Sequence, residues 1–154
     1  MPYDTDSRLA ELGLTLPTPG TPIGNFVPCV QSGKTLYVSG QVPRQDGRLA
    51  FVGKVGREVT VDEAKQAARL CALALLSLIK AHAGSLDAVQ RVCMVQGFVN
   101  AVPEFTEHPA VINGASDLLV ELFGERGRHA RFAVGAGSLP GNVAVEVAAV
   151  VELA

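Results

Sequence analysis

Residues 129–153 read HARFAVGAGSLPGNVAVEVAAVVEL, and the way this stretch folds decides the rest. Two runs rich in Val and Ala flank Leu139-Pro140-Gly141-Asn142. Proline presets φ in a turn, and Gly and Asn tolerate positive φ, so the middle is a turn. The flanks are apolar strands of a buried sheet, and a hairpin is expected. Each strand carries one charge that its neighbours do not explain. Arg131 opens the first, and Glu146 sits inside the otherwise apolar run 143–151, VAVEVAAVV. Burying an unpaired charge costs several kcal/mol, so Glu146 should be paired, protonated or functional.

In a hairpin centred on Pro140-Gly141, Glu146 falls opposite Gly135. Arg131 has the parity of Gly135, so both charges are expected on one face of the sheet. Their separation along it is roughly 13 Å at ~3.4 Å per residue, which suits two long side chains reaching toward a small molecule. A bulge or a second subunit would change that spacing. A structural ion pair, or a Glu146 on an exposed sheet face, would explain the same residues without a ligand. His129 shares the parity of Arg131 and is read either as a strand-edge histidine or as a member of the same site.

Working outward, residues 109–123 predict a helix, with Pro109 in the first turn and Gly124 after the last. Val111, Ile112, Ala115, Leu118, Leu119 and Leu122 form its buried face, with Asn113 polar among them. Residues 88–100 predict a long strand ended by Pro103. Thr60-Val61-Asp62-Glu63 is a capping box, and the helix it opens runs to about residue 83, where Gly84 stops it. Before it come a polar turn at 45–48 and a short strand over 49–52. Strands at 26–31 and 34–39 flank Ser32-Gly33 as a hairpin. Residues 16–22 are a Pro-rich connector, and 5–12 give one or two helical turns. Two helices can cover one face of so small a sheet, which leaves the other to a partner. An oligomer is therefore a physical expectation.

Several motifs in order carry a resemblance. Ala130-Arg131, Val134, Gly137, Leu139 and Val145-Glu146-Val147 resemble the C-terminal signature of the RidA (YjgF) family, also labelled endoribonuclease L-PSP, with the Arg-to-Glu spacing unbroken. Upstream, Ile23-Gly24-Asn25-Phe26 and Leu36-Tyr37-Val38-Ser39-Gly40-Gln41-Val42-Pro43 extend the similarity over most of the chain.

The resemblance implies a chorismate-mutase-like α+β fold, a mixed sheet with two main helices on one face, forming a homotrimer around the other face with sites between subunits. It divides the chain into an N-terminal extension, 1–21, and a single RidA-like domain, 22–154. Arg131 is implied as the guanidinium that binds a substrate carboxylate, and a planar bidentate fork suits that role. Glu146 is implied as the general acid/base that activates water. Burial would raise its pKa and Arg131 would lower it. Ser39, Gly40 and Asn113 are implied to line the pocket, with Phe26 and Ala133. Phe26 stands where many members have Tyr, and Ala133 where many have Cys, which marks a divergent branch. The implied reaction hydrolyses a reactive enamine or imine to a 2-keto acid and ammonia, with no cofactor and no metal. A non-catalytic trimer binding small carboxylates, or an endoribonuclease, are the alternatives.

Composition bounds these readings. The chain has 154 residues, is 48% hydrophobic and carries a net charge of −2. One domain with a real core follows. The charge gives no general attraction to nucleic acid. Cys29, Cys71 and Cys93 are widely spaced with no CxxC, and read as small buried hydrophobes of a reducing compartment. No secretory pattern opens the sequence and no apolar run is long enough for a membrane span, so a cytoplasmic location is expected.

Overall fold

The computed structural model describes residues 4–154; the first three residues of the expected extension lie outside them. Its elements are α1 (Thr5–Glu11), β1 (Cys29–Ser32), β2 (Thr35–Gln41), β3 (Arg44–Gln45), β4 (Arg48–Leu49), α2 (Val61–Ala83), β5 (Val89–Asn100), α3 (His108–Phe123), β6 (Ala130–Ala136) and β7 (Val145–Leu153). The main sheet runs β1-β2-β7-β5-β6, and β3 and β4 form a separate small hairpin. This is an α+β fold with a mixed sheet: β5 and β6 are parallel and the other neighbours antiparallel.

Local chemistry accounts for the helix ends. The Thr60 side chain accepts from the Glu63 N–H, and the Glu63 carboxylate takes the Thr60 N–H, so the capping box closes as expected. Gly84 ends α2 in the left-handed region at φ 86°. Pro109 sits in the first turn of α3. The strand expected over 49–52 is cut short, because Phe51 takes a positive φ of 56° that breaks the extended backbone.

The expected β6–β7 hairpin is not formed. The turn at Pro140 is present, with the Asn142 N–H donating to the Leu139 carbonyl at 3.0 Å. It carries the chain past β5 rather than back along β6. β5 lies between the two strands, with Val99 opposite both Gly135 and Val145. Parallel strands need a long crossover, and α3 supplies it between β5 and β6.

Both long helices pack on one face of the sheet, α2 against β2 and β7, and α3 against β5 and β6. Leu36, Val38, Val92, Val95, Val99, Val147, Ala149 and Val151 bury their side chains there. The opposite face is uncovered. Its rows follow from register: Val30, Tyr37, Val150, Met94 and Ala130, then Ala148, Gln96 and Phe132, then Glu146, Phe98 and Val134. Val30, Tyr37, Phe132 and Val134 are exposed. Among the described residues no helix is long and apolar enough to cross a membrane.

Glycine sets the closeness of two contacts. A Cβ on Gly97 would lie 2.6 Å from Ile112, so its absence lets α3 sit tightly on β5. A Cβ on Gly114 would lie 2.0 Å from the Lys65 carbonyl oxygen, where the α3 backbone packs directly against the α2 backbone. Gly114→Ala is expected to cost about 3 kcal/mol through overpacking, lowering Tm by roughly 6–12 °C. Gly137→Ala, with nothing within 4 Å, should leave Tm near wild type; thermal unfolding of the two variants side by side checks the contrast.

Candidate functional site

Arg131 and Glu146 do not share a face. Arg131 pairs with Val95, a fully buried residue on the helix side of β5. Glu146 pairs with Phe98. Positions 95 and 98 differ by an odd number, so their side chains leave opposite faces. The expected shared face fails because it assumed that β6 and β7 were neighbours.

The Arg131 side chain turns toward α3. Nη1 donates to Ser116 Oγ at 3.0 Å and Nη2 to the Pro109 carbonyl at 3.3 Å. No carboxylate among the described residues forms an ion pair with it. Two of five guanidinium donors are thus engaged, and three remain for a ligand. Arg131, Asn113, Ser116 and His129 line one open cleft of about 520 Å³, together with Arg128. Asp117 and Glu121 also line it, but Lys65 and Arg69 hold them at 3.9 and 3.7 Å. Ala133, two residues beyond Arg131 on the same strand face, packs against the core.

Glu146 belongs to a different neighbourhood. A register shift between Val38 and Gln41 places Ser39-Gly40 as a bulge beside β7. A Cβ on Gly40 would lie 3.0 Å from Glu146 Oε2, so the carboxyl lies against glycine backbone. Gln41 Nε2 braces the bulge, donating to the Ser39 and Gly40 carbonyls at 3.3 and 3.1 Å. The Ser39 N–H donates to the Pro28 carbonyl at 2.9 Å, which brings the loop bearing the exposed Phe26 alongside. Burial pushes the Glu146 carboxyl above its ordinary value, with no cationic side chain opposing it. Its charge adds to the burial that pushes Cys71, beneath the sheet, well up.

The candidate residues thus fall into two separate groups, two candidate half-sites. Arg131 and Asn113 line one cleft, with Ala133 on the same strand face as Arg131. Glu146 lies against Gly40 next to Ser39, and Phe26 stands exposed two residues before Pro28, whose carbonyl accepts from the Ser39 N–H. Sequence reading missed Ser116 and Gln41. Ser116 follows Asn113 by three residues, a spacing that puts both on one helix face. Gln41 stands in the Leu36–Pro43 motif, but its bracing role depends on the bulge, which the sequence does not show. Among the described residues no group of His, Cys, Asp and Glu is arranged to hold a metal ion.

A mixed sheet with helices on one face is the architecture of the chorismate-mutase-like proteins. Residues 6–153 match the family described as "YjgF/chorismate mutase-like, putative endoribonuclease", and the chain belongs to that family. It is 49% identical over 148 residues to Protein TCP17 of Trypanosoma cruzi, covering 96% of this chain and 92% of that protein. The crystal structure of Atu1372 from Agrobacterium tumefaciens is 50% identical, with a TM-score of 0.91 over 97% of this chain and 92% of that one. A structure from Shewanella oneidensis, titled a putative endoribonuclease, is 36% identical, with a TM-score of 0.95 over 97% and 99% of the two chains.

The raised Glu146 pKa has a consequence for stability. A carboxyl whose folded pKa exceeds its unfolded one disfavours the fold once it ionises. The cost is absent below the unfolded value, grows as pH rises through the interval between the two, and is complete above the folded value. Glu146→Gln is therefore expected to raise Tm at pH 8, with the difference shrinking to nothing as pH falls through the ordinary carboxylate range. Calorimetry at fixed protomer concentration checks both limbs.

Proposed function

We propose that this protein hydrolyses reactive enamine or imine acids, of the 2-aminoacrylate or 2-iminobutanoate type, to the 2-keto acid and ammonia. The observation that carries the reading is the state of the two charges. Arg131 lines a cleft and has no carboxylate partner among the described residues. Glu146 is half-buried against Gly40 with a raised pKa. A cation that lacks an anion suits a substrate carboxylate. A carboxyl shifted toward neutrality suits proton transfer in both directions.

In this mechanism the substrate carboxylate sits on the free donors of Arg131. Glu146 takes a proton from water as its oxygen attacks the imine carbon. Glu146 gives that proton to the imine nitrogen, forming a carbinolamine. It then takes the carbinolamine hydroxyl proton as the C=O bond forms, and passes it to the nitrogen as the C–N bond breaks. One water is consumed, and one keto acid and one ammonia leave. The protein supplies orientation and proton transfer, with Gly40 giving the carboxyl room.

Because the two half-sites face opposite sides of one sheet, the reading requires assembly. We propose a homotrimer that covers the open face holding Tyr37, Phe132 and Val134 and sets the Arg131 half-site of one subunit against the Glu146 half-site of the next. Symmetric closure repeats the same contact three times.

A binding-only reading is favoured by Phe26 and Ala133, which lack the phenol and thiol that many members carry. An endoribonuclease reading follows the family description. Against it stand the net charge of −2 and His129, both of whose ring nitrogens are hydrogen-bonded inside the protein.

Freshly generated 2-iminobutanoate tests the proposal through ammonia and keto-acid release. Wild type should accelerate release. Arg131→Ala should lower kcat/KM by about 10- to 150-fold, the loss of a charge-assisted contact, and Glu146→Gln should lower kcat by about 100-fold or more. Retained carboxylate binding without turnover in wild type would establish the binding protein instead. RNA cleavage abolished by Arg131→Ala would establish the nuclease.

A further inference from the structure

The Arg131 guanidinium is steered by a polarised chain that ends on backbone. His129 Nδ1 lies 2.6 Å from the Gly127 carbonyl oxygen. A carbonyl only accepts, so Nδ1 carries the proton and Nε2 of the neutral ring accepts. Ser116 Oγ lies 2.8 Å from that Nε2, so the serine hydroxyl donates to it. With its one hydrogen committed, Ser116 Oγ presents lone pairs, and Arg131 Nη1 donates to them at 3.0 Å. Each bond fixes the direction of the next: guanidinium to hydroxyl, hydroxyl to imidazole, imidazole to backbone.

Other features reinforce this polarity. Burial is the largest influence lowering the His129 pKa, and the Arg131 charge also lowers it, against the Gly127 carbonyl, which raises it. Both lowering influences favour the neutral ring that accepts from Ser116. Asp117, Glu121 and Arg128 line the same cleft, but the two carboxylates are held by Lys65 and Arg69. Ser116 sits inside α3, where helix N–H groups are engaged by carbonyls one turn back. No oxyanion donors face it from that backbone, and a guanidinium donating to Oγ draws electron density from it. The arrangement suits a holder rather than a nucleophile.

We propose that Ser116 and His129 are positioning residues that aim the free donors of Arg131 at a ligand carboxylate and so set the selectivity of the cleft for carboxylate over its uncharged amide. This inference rests on Arg131 as the carboxylate clamp.

The test is calorimetric binding of 2-oxobutanoate and of 2-oxobutanamide to the full-length protein. Arg131→Ala should weaken 2-oxobutanoate binding by about 10- to 150-fold, and Ser116→Ala and His129→Leu by about 10-fold each, the range for hydrogen bonds to charged groups. The double variant should bind about as weakly as either single one, because both break one chain. His129→Gln, whose amide oxygen accepts from Ser116, should stay within about 3-fold of wild type. Binding of 2-oxobutanamide should be the same in all of them. If Arg131→Ala weakens 2-oxobutanoate binding and Ser116→Ala with His129→Leu do not, the positioning role is overturned while the clamp stands. If the losses from Ser116→Ala and His129→Leu multiply, or extend equally to the amide, the chain is not a unit that aims Arg131 and the proposal fails. If Arg131→Ala binds 2-oxobutanoate like wild type, the clamp falls and the proposal with it.

Discussion

β5 stands between β6 and β7, parallel to one and antiparallel to the other, and the rest of the arrangement depends on that position. It pairs Arg131 with Val95 and Glu146 with Phe98, an odd offset along one strand. Period-two alternation then sends the two charges to opposite faces. Arg131 docks on α3 through Ser116 and Pro109, while Glu146 settles over the Ser39-Gly40 bulge. Among the described residues, Arg131 has no carboxylate partner and no cation is seen to offset the burial of Glu146. That state of the two charges is what the proposed carboxylate ligand and the proposed second subunit would complete.

The open face carries the same message through burial. Helices cover the side of the sheet that holds Val95, Val99, Val147 and Val151. The other side leaves Val30, Tyr37, Phe132 and Val134 exposed, contiguous through half-buried Met94, Phe98, Ala148 and Val150. Contiguous apolar surface of that kind marks an interaction site in a soluble domain. Glu146 lies in the last row of this face, beside Phe98 and Val134. Covering the face would further desolvate the carboxyl, and a neighbouring guanidinium would oppose the rise in its pKa.

What the sequence disclosed, and what it hid, divides by range. Thr60 with Glu63, Gly84, and Pro109 with Gly124 announce helix ends because caps are local chemistry, and α2 and α3 lie where those residues put them. The hydrophobic run of β5 was equally plain. Pro140 does mark a turn, but a turn states only that the chain changes direction. Which strand then lies alongside is fixed by the packing of α3, a contact between residues far apart in sequence. For the same reason Arg131 and Glu146 stood out as misfits, while their placement on opposite faces did not. Ser116 acquires meaning only when β6 lies against α3, and Gln41 only when the bulge at Gly40 exists.

The most direct test of a cleft shared between subunits is complementation between two inactive parents. Arg131→Ala and Glu146→Gln proteins would be unfolded together, refolded as a mixture and assayed on 2-iminobutanoate, with subunit exchange followed by native mass spectrometry. A composite cleft predicts recovery to about one quarter of the wild-type rate, since random assembly gives that share of clefts an intact Arg131 from one parent and an intact Glu146 from the other. Hybrids that form and remain as inactive as their parents would contradict it.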